Sequence, residues 1–209
     1  MLAWQMGNST DANHALEPLW QKADEAAKAG DFPGVVFILK SLADKGVWQA
    51  SARIGELYES GASGFAADQQ QALRWFRKAI FDGDDPVAHL GLGRAYYEGN
   101  GVDRDYTVAL QHFKKASAAG LHAADVYLGL MYYFGVGVPQ DVLKAERTFD
   151  TPAAAGYPIA CFYLARIALS RRSYARFVRL WIKGWLTGAR MLRKDPGDQR
   201  LLGIAKPTR

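Results

Sequence analysis

Apolar and polar positions along residues 122–156 follow a helical period that stops once and restarts. Ala124, Leu128 and Tyr132 stand four apart and share a face, and the run ends at Gly135. After a short polar stretch Asp141 opens a second stripe through Ala145, Thr148 and Phe149, which Gly156 closes. The spacing predicts two helices. A glycine just past the last apolar position suits the left-handed turn that ends a helix, and an aspartate just before the next stripe suits an N-cap accepting from first-turn amides. Gly129, beside Leu128, leaves room for a neighbouring helix to come close.

The same residue types recur 36 residues upstream, at Leu92-Gly93, Tyr96, Gly99, Gly101-Val102, Asp105, Ala109, Phe113 and Gly120. A further copy reads Ile54-Gly55, Tyr58, Gly61, Asp68, Ala72, Phe76 and Gly83, with one extra residue between Gly61 and Asp68. Self-similarity at this period is the mark of stacked repeats, because two helices alone cannot cover their own apolar faces. The expectation is an all-α solenoid of about four to five antiparallel helix pairs, without a sheet, ending in a C-terminal capping helix.

The ends depart from the pattern. Residues 18–30 and 34–46 read as an opening helix pair without the Leu-Gly and Gly-x-Gly-Val signature, although Gly46 precedes Gly83 by the repeat period. A terminal unit faces water on one side and need not keep the stacking residues, so this pair is expected to cap the array. Downstream, Ala160, Leu164 and Ala168 keep a first-helix stripe, but Arg171 stands where the loop glycine belongs. Phe177 and Gly184 follow Phe149 and Gly156 by only 28 residues, so eight residues are missing and a tight Ser-Arg-Arg-Ser turn is expected at 170–173. The expected divisions are 1–46, an N-terminal segment and divergent capping pair; 47–184, the repeats; and 185–209, a basic helix end and tail.

The pattern Leu-Gly-x-x-Tyr-x-x-Gly-x-Gly-Val, then Asp, then Ala with an aromatic four residues on, then Ala-Ala-x-Gly, resembles the Sel-one-like repeat, a relative of the tetratricopeptide repeat. Residues 128–156 match most fully, with Lys144-Ala145 and Ala154-Ala155-Gly156; residues 54–83 keep Trp75-Phe76 but lose Gly-x-Gly-Val. The resemblance covers roughly 47–184. It implies a right-handed α-solenoid serving as a bacterial adaptor or scaffold in signalling, envelope or secretion settings, and it implies no active site. A β-lactam-binding branch of the family carries a disulfide in each repeat, and a chain with one cysteine departs from it.

Composition narrows the picture further. A content of 49% hydrophobic and 12% aromatic residues suffices for a continuous core. The single cysteine, Cys161, excludes an intramolecular disulfide and reads as a small core side chain. The N-terminus shows no basic, apolar export signal and no stretch reaches spanning length, so a cytoplasmic protein is expected, with a position peripheral to the inner membrane as the alternative.

Charge is unevenly placed. From Arg166 onward the balance is +10 in a chain of +5, which leaves −5 for the rest. Phe177, Leu180, Trp181, Gly184, Trp185, Gly188 and Met191 form one apolar stripe flanked by Arg176, Arg179, Lys183 and Arg190. The stripe is expected to pack on the preceding helix as a cap, with the cations as a secondary surface for an anionic membrane or an acidic partner. Nucleic acid is not indicated, since no recognition fold appears.

Candidate chemistry is sparse. The glycine loops lack the lysine and Ser or Thr of a phosphate cradle. Asp82, Asp84 and Asp85 depart from calcium-loop spacing, and His14, His89, His112 and His122 share no ligand spacing, so no metal and no cofactor are expected. No paired nucleophile and base is legible, and a non-catalytic role follows. The remaining candidates are first-helix positions between the packing residues: Arg53, Glu56, Arg94, Tyr97, Tyr127, Tyr133, Tyr163 and Arg166. Family relatives line a concave groove with such positions, and tyrosine and arginine concentrate binding energy at interfaces. The expected function is a scaffold that binds a protein or peptide segment through this face. The alternative is a membrane or envelope-complex scaffold held by the basic helix.

Overall fold

The computed structural model describes residues 10–194; residues 1–9 and the tail from 195 onward, assigned above to the terminal segments, lie outside them. Among the described residues there are ten helices and no strand: α1 (Thr10–Ala29), α2 (Phe32–Ala43), α3 (Trp48–Ser60), α4 (Gln69–Gly83), α5 (Pro86–Glu98), α6 (Tyr106–Ala118), α7 (His122–Phe134), α8 (Val142–Ala154), α9 (Pro158–Ser170) and α10 (Tyr174–Lys194). They fall into consecutive pairs of the α-solenoid class, as the period requires. Two compact units divide after Ala88.

In the first unit α1 packs on α2, α2 on α3 and α3 on α4. Val35, Val36, Leu39, Leu42 and Ala43 of α2 form its core with Ala23 and Ile54, and Leu16, Leu19 and Trp20 of α1 close over them. The sequence reading placed the start of α1 near Pro18, whereas the helix begins at Thr10 and Pro18 lies inside it. The fixed φ of proline is itself helical, and the apolar positions of the sequence continue across it.

In the second unit α6 packs on α7, α7 on α8, α8 on α9 and α9 on α10. Its core gathers Phe113, Leu128, Leu130, Met131, Phe149, Cys161, Leu164 and Ile167. The division expected at 184/185 falls inside α10, which is continuous from Tyr174.

Each full repeat is held by the same three devices. The capping aspartates are where the pattern put them: Asp68 accepts from the Gln71 amide at 3.0 Å, Asp105 from Thr107 and Val108 at 2.8 and 3.0 Å, and Asp141 from Lys144 at 2.8 Å. The amide of each of these aspartates donates back to the tyrosine that ends the preceding stripe, Asp68 to the Tyr58 carbonyl, Asp105 to Tyr96 and Asp141 to Tyr132, at 2.8–2.9 Å. The third device is a glycine under a ring. A Cβ on Gly55, Gly93 or Gly129 would lie 2.6, 2.6 or 2.5 Å from Phe76, Phe113 or Phe149 of the second helix in the same pair, all buried. The close approach is thus within a repeat, and the phenylalanine makes it.

The last pair changes the device. Ala165 takes the place of the glycine, and the close approach moves to α10, where a Cβ on Gly184 would lie 3.1 Å from Cys161 and 3.3 Å from Phe162. The expected tight turn is present. Arg171, in the place of Gly135, keeps φ of −91°, and the left-handed residue comes one position later, at Arg172 with φ of 57°.

Candidate protein-binding interface

The first-helix positions do not form one uniform surface. In the first unit Arg53 and Glu56 pair with each other at 3.2 Å, one turn apart on α3. In the second unit Arg94 is half-buried, and Tyr97 and Tyr127 are only 2% and 7% exposed. These two tyrosines, expected to face a ligand, are therefore core. Tyr127 lies flat on Phe113 with centroids 4.6 Å apart, and Tyr97 stands edge-on to Tyr106 and Tyr127 at 5.5 and 5.6 Å. Burial first, then the neighbouring phenols of Tyr106 and Tyr127, pushes the Tyr97 hydroxyl well above its ordinary range.

That hydroxyl is buried without a hydrogen-bond partner among the described residues. A buried polar group without a partner costs stability, so Tyr97→Phe will melt no lower than the parent, whereas Tyr97→Ala will lose about 3–5 kcal/mol. Thermal melts of the two variants check this.

One repeat later the equivalent residues are open. Tyr133 and Tyr163 occupy the positions of Tyr97 and Tyr127, 36 residues on, and both are half-buried. Tyr163 lies on Phe149 with ring planes 14° apart, repeating the Tyr127 stack, and meets Tyr133 edge-on at 5.2 Å. Phe134 joins them at 4.9 Å from Tyr133 and 5.8 Å from Tyr163. Arg166, exposed on α9, sits with its guanidinium 5.8 Å from both tyrosine rings. Burial raises the Tyr163 phenol, against the lowering effect of the Arg166 charge. The sequence reading missed Phe134, although the run Tyr132-Tyr133-Phe134 at the end of α7 marks an aromatic excess that one buried face cannot absorb.

The arrangement offers flat aromatic area, two phenol hydroxyls and a guanidinium with one open face. It suits an extended segment presenting a carboxylate or carbonyl to the arginine and apolar groups to the rings. Cys161 is buried on α9, and burial chiefly, with Lys183 acting against it, pushes its thiol up, away from the reactive thiolate. Asp85 accepts from the Ala88 amide at 2.8 Å and Asp82 pairs with Lys78 at 2.8 Å, so two of the three acidic residues of that turn have structural work. No cluster of three metal-ligating side chains exists among the described residues.

Two of the four histidines come together. His89 and His112 face each other through their Nδ1 atoms at 2.8 Å, with Tyr96 stacked on His112. The contact needs one ring to donate and the other to accept, so the two cannot both be protonated while it holds. Burial, then His89 and Lys115, lowers His112 to about 4. An unfolded histidine titrates near about 6.5, so from there down to about pH 4 the unfolded chain binds a proton that the fold rejects. Stability conferred by the neutral His112 is complete above this window and is lost as pH falls through it. The melting temperature of the parent will drop over that range more steeply than that of His112→Gln. His122 lies beside Asp125 at 3.3 Å, and the His14 side chain lies outside the described residues.

The basic residues of α10 also divide. Glu146 on α8 receives both Arg171 and Arg176. Burial works to raise its carboxyl, but the two guanidiniums outweigh it and hold it below the ordinary carboxylate range. Arg176 is therefore a strut between α8 and α10, while Arg179, Lys183 and Arg190 are exposed. Of the expected capping stripe, Phe177, Leu180, Gly184, Gly188 and Met191 are buried or half-buried, but Trp181 and Trp185 are 48% and 57% exposed. The tryptophans lie toward the edge of the stripe, where the contact with α9 has ended. No helix among the described residues is long and apolar enough to cross a membrane.

Known proteins match this frame. Residues 48–80, 86–121 and 122–147 match the Sel1 repeat. A stretch of 81 residues is 41% identical to the ERAD-associated E3 ubiquitin-protein ligase component HRD3B of Arabidopsis thaliana, spanning 38% of this chain and 12% of that protein. A stretch of 85 residues is 33% identical to DAP3-binding cell death enhancer 1 of Rattus norvegicus, spanning 41% and 16% of the two. The chain thus corresponds to less than a fifth of the length of either relative. The crystal structure of a Sel1 repeat protein from Oxalobacter formigenes superposes with a TM-score of 0.64 at 26% identity, over 80% of this chain and 74% of that one. With glycine, phenylalanine and capping aspartate in register in three successive copies, residues 48–147 carry Sel1 repeats, and proteins built of this repeat generally serve as scaffolds for protein–protein interaction.

Proposed function

We propose that the protein is a non-catalytic scaffold whose second unit holds a segment of a partner protein on the α7–α9 face, through Tyr133, Phe134, Tyr163 and Arg166. The observation that carries the reading is the exposed Arg166 guanidinium lying over two half-open tyrosine rings. Inside the unit the same repeat positions are closed over as core, so this opening is specific to the α7–α9 step. Aromatics paired with arginine are the residue types that dominate binding energy, and here they are rigidly backed by Phe149. The related rat protein is described as binding another protein, which agrees with the reading. Arg53 and Glu56, already paired with each other, and the half-buried Arg94 extend the candidate surface as secondary positions.

A photo-crosslinking amino acid introduced at Arg166, and separately at the exposed Lys114 of α6, tests the assignment in cells of the source organism. A discrete crosslinked protein is expected from position 166 and none from 114. Equal labelling from both positions, or none from 166, contradicts it.

A further inference from the structure

Helix α10 carries a second apolar strip that stays largely exposed among the described residues. At 3.6 residues per turn its circumference divides into three sectors. The first, around Gly184 with Phe177, Leu180 and Met191, lies against the body. The second, beside it, holds Tyr174, Val178, Trp181, Ile182, Trp185 and Leu186, each more than two-fifths exposed. The third holds Arg179, Lys183 and Arg190, all exposed. No acidic side chain occurs between Asp150 and Asp195. Soluble monomers rarely show so large a contiguous apolar strip, and here it runs for most of a helix about 30 Å long.

We propose that this outer face of α10 docks on an anionic lipid surface, with the second sector immersed at the headgroup boundary and the cations of the third against lipid phosphates. Three features select a bilayer. The middle of the apolar sector points roughly 130° away from the contact with α9, so immersion does not drive the rest of its own unit into the lipid. The cations sit roughly 110° round from the immersed centre, at the height of the headgroups, where long basic side chains reach phosphate while their stems stay in apolar surroundings. Two tryptophans and a tyrosine at the edge of an apolar strip are amphipathic side chains suited to that boundary. A second copy of the chain is disfavoured as the occupant, because pairing two such faces brings like-charged rows together without a compensating acid on either helix.

The test uses the full chain and vesicles of phosphatidylcholine alone or with phosphatidylserine. Flotation is expected with the anionic vesicles only, weakening as salt rises. Bromine-labelled acyl chains will quench the tryptophan fluorescence, and Trp181→Phe/Trp185→Phe will remove the quenching while flotation persists. Arg179→Glu/Lys183→Glu/Arg190→Glu will lower partitioning on the order of a hundredfold with an unchanged melting temperature. Absence of flotation at low salt overturns the proposal, as does equal flotation on neutral vesicles. Anionic binding without quenching shows adsorption of charge alone and overturns immersion. A concentration-dependent dimer in sedimentation that protects Trp181 and Trp185 assigns the face to a second copy. Capture of an acidic protein that the Arg179→Glu/Lys183→Glu/Arg190→Glu variant no longer binds, with no flotation of the chain on anionic vesicles, overturns the proposal and assigns the face to a protein.

Discussion

Replacing Phe149 with alanine will lower the unfolding free energy by about 3–5 kcal/mol, the cost of deleting a fully buried ring and leaving a cavity. The ring is buried between the backbone of Gly129 and the face of Tyr163, so it joins α8 to its own partner helix and to the next pair at once. The converse change acts at the same contact. Gly129→Val puts methyl groups where a single Cβ already lies 2.5 Å from the ring, and costs about 1–3 kcal/mol as the helices part. The two effects are coupled. Gly129→Ala with Phe149→Leu will be less destabilised than the sum of the single changes, because the smaller side chain yields the space that the new methyl occupies. Urea unfolding of the four proteins measures the coupling, and strict additivity would show that the contact is not what holds the pair together.

Truncation after Ser173 will remove the folded state of the second unit. Without α10, Pro158 and Cys161 of α9 lose the cover of Gly184 and Gly188, and Glu146 loses the Arg176 half of its double ion pair. The sequence stripe places Trp181 and Trp185 in the packed face of the cap. Their exposure reassigns that packing to Phe177, Leu180 and Met191, which flank the close approach at Gly184. Leu180→Ala is therefore expected to cost about 2–5 kcal/mol, while Trp181→Ala and Trp185→Ala each cost less than Leu180→Ala. Melting curves of the three variants, beside the truncated chain, separate the packed face from the open one. A truncated chain that melts like the full one would remove α10 from the fold altogether.

Much of this architecture was legible because the repeat states each contact three times. Glycine, phenylalanine and aspartate at fixed offsets set the pairs, the caps and the period, and the deletion of eight residues announced the tight turn at Arg171-Arg172. What a linear pattern does not carry is depth within the array. Tyr97 and Tyr133 are the same repeat position, yet one is sealed by Tyr106 and Tyr127 and the other is half-open. Nor does a stripe at helical spacing say where contact with the neighbour ends, which is why the tryptophans of α10 read as cap and stand outward. The pairing of His89 with His112 joins α5 to α6 across 23 residues, and no local spacing announces it.

The binding of a selected peptide tests the proposed interface most directly. Peptides enriched from a random display library against the full chain are measured for affinity to the parent and to Arg166→Glu, with the melting temperature of each as control. Arg166 is exposed, so its reversal leaves the fold intact and turns a cation poised over two tyrosines into an anion. An affinity lower by on the order of tenfold or more, at an unchanged melting temperature, is the predicted result. Equal affinity of parent and variant for every enriched peptide would contradict binding at the α7–α9 face.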